Sequence, residues 1–179
     1  TLSRQFSAYL QKELQLKKGD RVALMLPNCP QYMVSVFAVL QAGLTVINVN
    51  PLYTTPELVQ QIKHSQAQAI IILANFLPTL IRGLKETHIK YVISSQLGDL
   101  LPWPRSWIIN GLAKRLIKNK TEKTMHSSSM HSSSMKFLKI LKQGSHLCLE
   151  PVTLQKGDIA FLQYTGGTTG KPKAAMLSH

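Results

Sequence analysis

Hydrophobic residues follow two alternating patterns along the first hundred positions of the chain. Short apolar runs, such as Ala69–Leu73, are typical of strands buried in a sheet. Longer segments with apolar residues on one side, such as Leu2–Leu14, predict amphipathic helices. The predicted strands are Arg21–Leu26, Leu44–Val49, Ala69–Leu73 and Lys90–Ser94. The predicted helices are Leu2–Leu14, Gln31–Gln41, one that Thr55-Pro56-Glu57 opens, and Phe76–Lys85. This alternation predicts an α/β fold with a parallel, doubly wound sheet.

Several polar residues and glycines mark the ends of these elements. Gly43 follows the second helix, where glycine is the common C-terminal residue. Thr55 is the predicted N-cap of the third helix and Pro56 its first helical residue. Three further polar residues are expected to hold turns at strand ends, with the lining of a substrate path as the alternative: Asn48, Asn50 and Tyr53.

Residues 101–149 interrupt the pattern and carry nine basic residues against one acidic residue, most of the net charge of +13. Trp107–Ile117 places apolar residues opposite Lys114 and Arg115, which fits an ordinary surface helix on the sheet or an interfacial helix on an anionic membrane. Nucleic acid is not an expected partner, because no aromatic residues interleave the charges. The Met-His-Ser-Ser-Ser repeat from Met125 predicts a low-complexity insertion. In Lys136–Lys142 the lysines are expected opposite an apolar side of Phe137, Leu138, Ile140 and Leu141.

Composition excludes several classes of protein. The two cysteines, Cys29 and Cys148, provide no disulfide framework and no metal-like spacing. The most apolar run, Met33–Val49, contains Gln41 and Asn48 and is too short for a good membrane span. No catalytic triad or metal-ligand cluster is evident, so His64 and His88 are expected to be surface residues. These features favour a cytoplasmic protein that is soluble or peripheral on the inner face of the cell membrane.

The last sixteen residues, YTGGTTGKPKAAMLSH, carry the strongest functional signal. Glycines let the backbone approach a ligand closely, and successive N–H groups, hydroxyls and ammoniums then enclose a phosphate. Two adjacent glycines alone equally fit a hairpin without a ligand, but the attached Thr-Thr-Gly-Lys-Pro-Lys favours phosphate. The nucleoside triphosphatase loop is excluded, because Thr165 replaces its first glycine and Pro172 its hydroxyl residue. Apolar runs at Ile159–Leu162 and Ala174–Leu177 predict a strand on either side of the loop.

Together with these residues, two upstream segments resemble the adenylate-forming enzymes, and bacterial long-chain fatty acyl-CoA ligases in particular. They are GDRVALMLPNCPQYMVSVFAVLQAG (Gly19–Gly43) and VINVNPLYTTPEL (Val46–Leu58). The resemblance implies the amino-terminal subdomain of the adenylate-forming fold, a mostly parallel sheet flanked by helices and incomplete at its carboxyl end. Residues 1–179 are then expected to form part of one AMP-binding domain without the family's carboxy-terminal lid. Ala174 departs from the pattern, since the family usually has glycine there.

The resemblance implies that the complete enzyme joins a long-chain fatty acid to ATP and transfers the acyl group from the acyl-adenylate to CoA. The residues it places around the β- and γ-phosphates are Thr165, Gly166, Gly167, Thr168, Thr169, Gly170, Lys171 and Lys173. It places Thr165 near the Mg²⁺ of Mg·ATP and implies no catalytic residue within this chain. Lys171 equally fits a solvated loop lysine, and Tyr164 is expected to pack beneath the loop. The chain alone is expected to be inactive. The alternatives are part of an acyl-AMP or acyl-ACP ligase, and a non-catalytic basic membrane-binding protein.

Overall fold

A computed structural model of the chain describes residues 1–112, 134–165 and 173–179. The helices are α1 (Leu2–Lys12), α2 (Pro30–Gln41), α3 (Thr55–Ser65), α4 (Leu77–Gly83) and α5 (Phe137–Gly144). Residues 105–112 are also helical. The strands are β1 (Arg21–Met25), β2 (Thr45–Asn48), β3 (Ala69–Leu73), β4 (Tyr91–Ser95), β5 (Met135–Lys136), β6 (Ile159–Thr165) and β7 (Lys173–Ser178).

The strands form one sheet in the order β5-β4-β3-β1-β2-β6-β7. Each neighbouring pair is parallel except β6 and β7, which are antiparallel. In the central strand β1, Ala23 is paired with Ile47 of β2 on one side and Ile70 of β3 on the other. The predicted mostly parallel α/β sheet is therefore confirmed.

Helices cover both faces of this sheet, which explains why its central strands are apolar throughout. One core cluster contains Phe6 of α1, Val39 of α2 and Phe137 of α5. The cluster on the other face contains Ile62 of α3 and Leu80 of α4. All five residues of β3 are buried, because side chains that alternate along the strand enter one cluster or the other.

The predicted elements agree with the structure to within a few residues, but one cap is wrong. The N-cap of α3 is Thr54, so Thr55 is already helical. Thr54 donates from its backbone N–H to the Glu57 carboxylate at 2.8 Å and from its hydroxyl at 2.6 Å. This capping box depends on a glutamate three residues after the cap, and that spacing selects Thr54 over its neighbour.

From residue 134 onward the chain packs into the same core as α1 and α2. β5 pairs with β4, and α5 buries Phe137, Ile140 and Leu141. Leu138 was expected on the same apolar side, but it is 47% exposed. The buried stripe of α5 runs through positions 137, 140, 141 and 144, which lie three and four residues apart from Phe137 onward, and Leu138 lies beside that stripe.

Two predictions in the basic segment fall partly or wholly outside the described residues. Helical structure is present over 105–112, which confirms the first part of the predicted helix Trp107–Ile117. The remainder of that helix and the Met-His-Ser-Ser-Ser repeat lie outside the described residues. Among the helices that are described, none has the length and apolar character needed to cross a bilayer.

Candidate phosphate-binding site

The strands β6 and β7 flank the segment predicted to bind phosphate. Their ladder ends with Thr165 opposite Lys173, immediately before and after residues 166–172. Side chains of directly opposed residues lie on the same face of an antiparallel pair. The Thr165 hydroxyl and the Lys173 ammonium therefore share one face, and both residues are exposed. The prediction of a strand on either side of the loop is confirmed.

The structure thus places two of the eight predicted phosphate contacts. The other six lie outside the described residues: Gly166, Gly167, Thr168, Thr169, Gly170 and Lys171. Lys173 forms no ion pair within the described parts of the chain, so its ammonium is available to an anion.

The carboxyl end of β6 lies at the edge of the sheet where the parallel strands end. β6 runs parallel to β2, with Val46 paired to Phe161 and Ile47 to Leu162. In open α/β sheets this edge is where ligands bind. Thr165 is the last residue of β6 and therefore stands at that edge.

A chain of polar side chains joins the ends of β2 and β6 on one face of the sheet. The Asn48 amide donates to Gln163 Oε1 at 2.9 Å, and Asn48 Oδ1 accepts from the Tyr32 hydroxyl at 3.1 Å. Asn48 was expected to hold a turn, and instead it connects two strands. Asn50 does hold a turn, because its Oδ1 accepts from the backbone N–H of Leu52 at 3.0 Å.

On the opposite face, Tyr164 packs against the core cluster that includes α3. Its hydroxyl is 2.7 Å from Nδ1 of His64, and the two rings meet edge to face. Burial raises the pKa of the Tyr164 phenol, and the positive charge of Arg21 opposes that shift. His64 is exposed, as expected of a surface residue, but its ring has a specific partner. His88 is exposed and precedes β4.

An open depression of about 1030 Å³ lies between α3 and the β6–β7 pair. Two of its charged lining groups already have partners. Arg21 donates to the carbonyl of Ser65 at 3.1 Å and so closes the carboxyl end of α3. Asp158 pairs with Lys18 at 2.6 Å, and the hydrogen bond from Lys18 lowers the pKa of the Asp158 carboxyl.

Ala174, the position where the resembling family usually has glycine, lies inside β7 opposite Tyr164. Its methyl group therefore shares the face of Tyr164 and lines the depression beside α3. Lys173, the residue before Ala174, also lines this depression.

A sequence profile described as AMP-binding enzyme matches residues 1–179. The chain belongs to the AMP-binding enzyme family. The match includes residues 101–149, the part in which the motifs were least evident. The resemblance inferred from the motifs is thereby confirmed.

Curated relatives of this AMP-binding chain are named long-chain-fatty-acid–CoA ligases. The Salmonella typhimurium protein is 44% identical over 177 residues, which are 99% of this chain and 30% of that protein. The Bacillus subtilis protein is 39% identical over 165 residues, 92% of this chain and 28% of that protein. The chain therefore spans about 30% of the length of these curated relatives.

Solved structures show the same fold at lower identity. The anthranilate CoA ligase AuaEII, in complex with anthranoyl-AMP, has a TM-score of 0.74 and 18% identity over 99% of this chain and 28% of its own. A long-chain-fatty-acid-CoA ligase from Archaeoglobus fulgidus has a TM-score of 0.71 and 21% identity with the same coverage. The mostly parallel sheet of the AMP-binding chain is thus the fold of adenylate-forming enzymes.

Sequence reasoning missed two contacts that hold the end of β6, that of Asn48 with Gln163 and that of His64 with Tyr164. One available signal was that Asn48 and Gln163 both lie near the carboxyl ends of parallel strands, which meet at one edge. No comparable signal linked His64 to Tyr164. Among the described residues, no cluster of three or more histidine, cysteine or acidic side chains is arranged to hold a metal ion.

Proposed function

We propose that this chain supplies the ATP-phosphate-binding part of an ATP-dependent long-chain fatty acid–CoA ligase. The observation that carries the proposal is the pairing of Thr165 with Lys173, which brings a hydroxyl and an ammonium to the two ends of the loop GGTTGKP. The relatives' names, at 39–44% identity, support fatty acid and CoA as substrates of the whole enzyme, and membership of the AMP-binding enzyme family supports ATP. In the proposal the phosphates contact the following residues: Thr165, Gly166, Gly167, Thr168, Thr169, Gly170, Lys171 and Lys173.

The electrostatic problem of the proposed reaction is the charge that grows on the leaving pyrophosphate. When the fatty acid carboxylate attacks the α-phosphorus, the bond to the bridging oxygen breaks and pyrophosphate leaves. Backbone N–H groups and lysine ammoniums that are already in place stabilise that charge without reorganising. In this role Lys173 contributes a full positive charge and Thr165 a hydrogen bond.

The exposed Thr165 hydroxyl at the carboxyl edge fits a position beside the Mg²⁺ of Mg·ATP, since Mg²⁺ prefers oxygen ligands. When bound, Mg²⁺ neutralises charge on the β- and γ-phosphates. Thr165 would place its hydroxyl oxygen beside that ion at the end of β6.

Binding of Mg·ATP tests this proposal directly. Isothermal titration of the 179-residue chain should detect binding, and Lys173→Ala should weaken it about tenfold, because a charge-assisted hydrogen bond is lost. Lys156→Ala is the matched control, since Lys156 is exposed before β6 and is not in the proposed site. Equal affinities of the two variants would contradict the assignment of Lys173.

The chain alone is not proposed to form acyl-CoA, because no catalytic residue is assigned to it. Incubation with ATP, CoA and oleate should give no thioester. The runner-up functions, an acyl-AMP or acyl-ACP ligase, share the adenylation step. They are distinguished in the full-length enzyme by whether oleoyl-adenylate accumulates or is transferred to CoA or to acyl carrier protein.

A second proposal concerns the apolar patch formed by Trp103, Trp107, Ile108 and Leu112. Their exposed fractions are 84%, 76%, 56% and 60%, which is unusual for large apolar side chains that lie close together in sequence. Asn110 fixes this helical segment to the turn after β4 by accepting from the Gly98 N–H at 2.8 Å. Tryptophan beside a strongly basic segment favours peripheral contact with the anionic cytoplasmic face of a membrane.

Co-sedimentation with lipid vesicles tests the membrane proposal. The chain should pellet with phosphatidylcholine vesicles that contain phosphatidylglycerol and not with phosphatidylcholine alone. Replacing Trp103 and Trp107 with serine should abolish pelleting. Leu52→Ser is the matched control, because Leu52 is also 84% exposed but lies in the loop after β2. If the chain pelleted equally with both kinds of vesicle, and with or without the two tryptophans, the proposal would be contradicted.

A further inference from the structure

The last residues of β6 are held in place by side-chain hydrogen bonds more than by backbone pairing with β2. The ladder between β2 and β6 pairs Phe161 and Leu162, and among the described residues it continues no further along β6. Beyond that point the main chain of β6 pairs with β7, which is the edge strand of the sheet. A two-stranded extension of this kind is weakly fixed on its own. The position of Thr165 therefore depends on what holds residues 163 and 164.

Side-chain hydrogen bonds fix these residues on both faces of the sheet. Gln163 is held by Asn48 of β2 at 2.9 Å, and Tyr164 is held by His64 of α3 at 2.7 Å. The His64 and Tyr164 rings also meet at 83° with centroids 5.7 Å apart, so the tyrosine is restrained in orientation as well as in distance.

We propose that His64 is a positioning residue for ATP binding. Through Tyr164 it holds the end of β6, and hence Thr165, in the place where the phosphates are bound. The inference rests on the proposed function, because it assigns His64 a role at that same site. His64 itself lies on α3 and does not contact the phosphates in this proposal.

Helix α3 is fixed at both ends and packed into the core, so it holds His64 in place. Its first turn is closed by the capping box of Thr54 and Glu57, and its last turn is closed by Arg21. Ile62 and Leu58 anchor the helix in the core. Because a phenol oxygen both donates and accepts, the bond to Nδ1 forms with neutral imidazole and with imidazolium alike.

The experiment compares five variants of the 179-residue chain. His64→Ala and Tyr164→Phe each remove the bond and should each weaken Mg·ATP binding about fivefold, the value of one ordinary hydrogen bond. The double variant should be no weaker than either single variant, because both lose the same interaction. His64→Asn should restore near-native affinity, since its side-chain oxygen can occupy the place of Nδ1. His88→Ala, which changes an exposed histidine before β4, should bind like the native chain.

A second measurement is independent of ATP. In ¹⁵N-edited spectra of the ligand-free chain, His64→Ala and Tyr164→Phe should shift the amide signals of Thr165 and Lys173 in the same direction, and His88→Ala should not. Native affinity in His64→Ala, losses that multiply in the double variant, or an unshifted Thr165 amide would each overturn the inference. If the native chain fails to bind Mg·ATP, the proposed function is wrong, and the amide shifts still decide whether His64 positions Thr165.

Discussion

The rings of Phe6 and Phe137 meet edge to face at 84°, with their centroids 5.1 Å apart. Both side chains are fully buried, and they join α1 near the start of the chain to α5, which follows the basic segment. The contact shows that the chain returns to the same core after residues 113–133. α5 is therefore part of the core that covers one face of the sheet, although the sequence around it is rich in lysine.

Replacing Phe137 with alanine should lower the free energy of unfolding by about 3–5 kcal/mol, because it leaves a cavity beneath α1. Urea denaturation followed by circular dichroism measures the change. The neighbouring Leu138→Ala is the control, since that side chain is 47% exposed, and it should have a much smaller effect. Similar losses in the two variants would show that α5 does not pack as described.

Gly144 should not tolerate a larger residue. A Cβ atom at this position would lie 2.0 Å from the backbone carbonyl oxygen of Gln5, so α1 and α5 would have to separate. We expect Gly144→Ala to destabilise the chain by about 1–3 kcal/mol, despite the better helix propensity of alanine. Gly157→Ala is the matched control, because nothing lies within 4 Å of its added methyl group. Thermal melting of both variants makes the comparison.

The capping box at the start of α3 should make the free energy of unfolding depend on whether the Glu57 carboxyl is ionised. Hydrogen bonds from Thr54 lower the pKa of the Glu57 carboxyl below its ordinary value. A lowered folded-state pKa means that the carboxylate stabilises the fold above the unfolded-state pKa, and that this contribution disappears as pH falls through the folded-state pKa. The difference in melting temperature between the native chain and Glu57→Gln should therefore be largest near neutral pH and vanish in acid. A difference in melting temperature that is the same at every pH would contradict this role of Glu57.

Replacing Asn48 should lower the free energy of unfolding more than replacing Asn50, although the sequence predicts the same role for both residues. Asn48→Ala leaves Gln163 and the Tyr32 hydroxyl without their partner, and we expect a loss of about 1–3 kcal/mol. Asn50→Ala removes one exposed turn contact and should have a smaller effect. Chemical denaturation gives the stabilities. A larger loss for Asn50→Ala would show that the polar bridge between β2 and β6 contributes little.

Much of the fold and part of the site could be predicted from the sequence. The strand Ala69–Leu73 was predicted with the bounds that the structure shows, because a fully apolar run is a local property of a strand covered on both faces. The strands before and after residues 166–172 were also predicted from short apolar runs, although most of β7 is exposed. The cap at Thr54 was missed by one residue, since the choice between adjacent threonines depends on which one reaches Glu57.

The sequence by itself determined the alternation of strands and helices, the membership of the family and the composition of the loop after Thr165, because each of these is encoded in neighbouring residues. Tertiary structure alone decided that His64 meets Tyr164 and that Asn48 meets Gln163, across 100 and 115 positions. Those contacts require β6 to lie beside β2, an arrangement that the packing of whole strands and helices sets and that no local pattern of residues specifies.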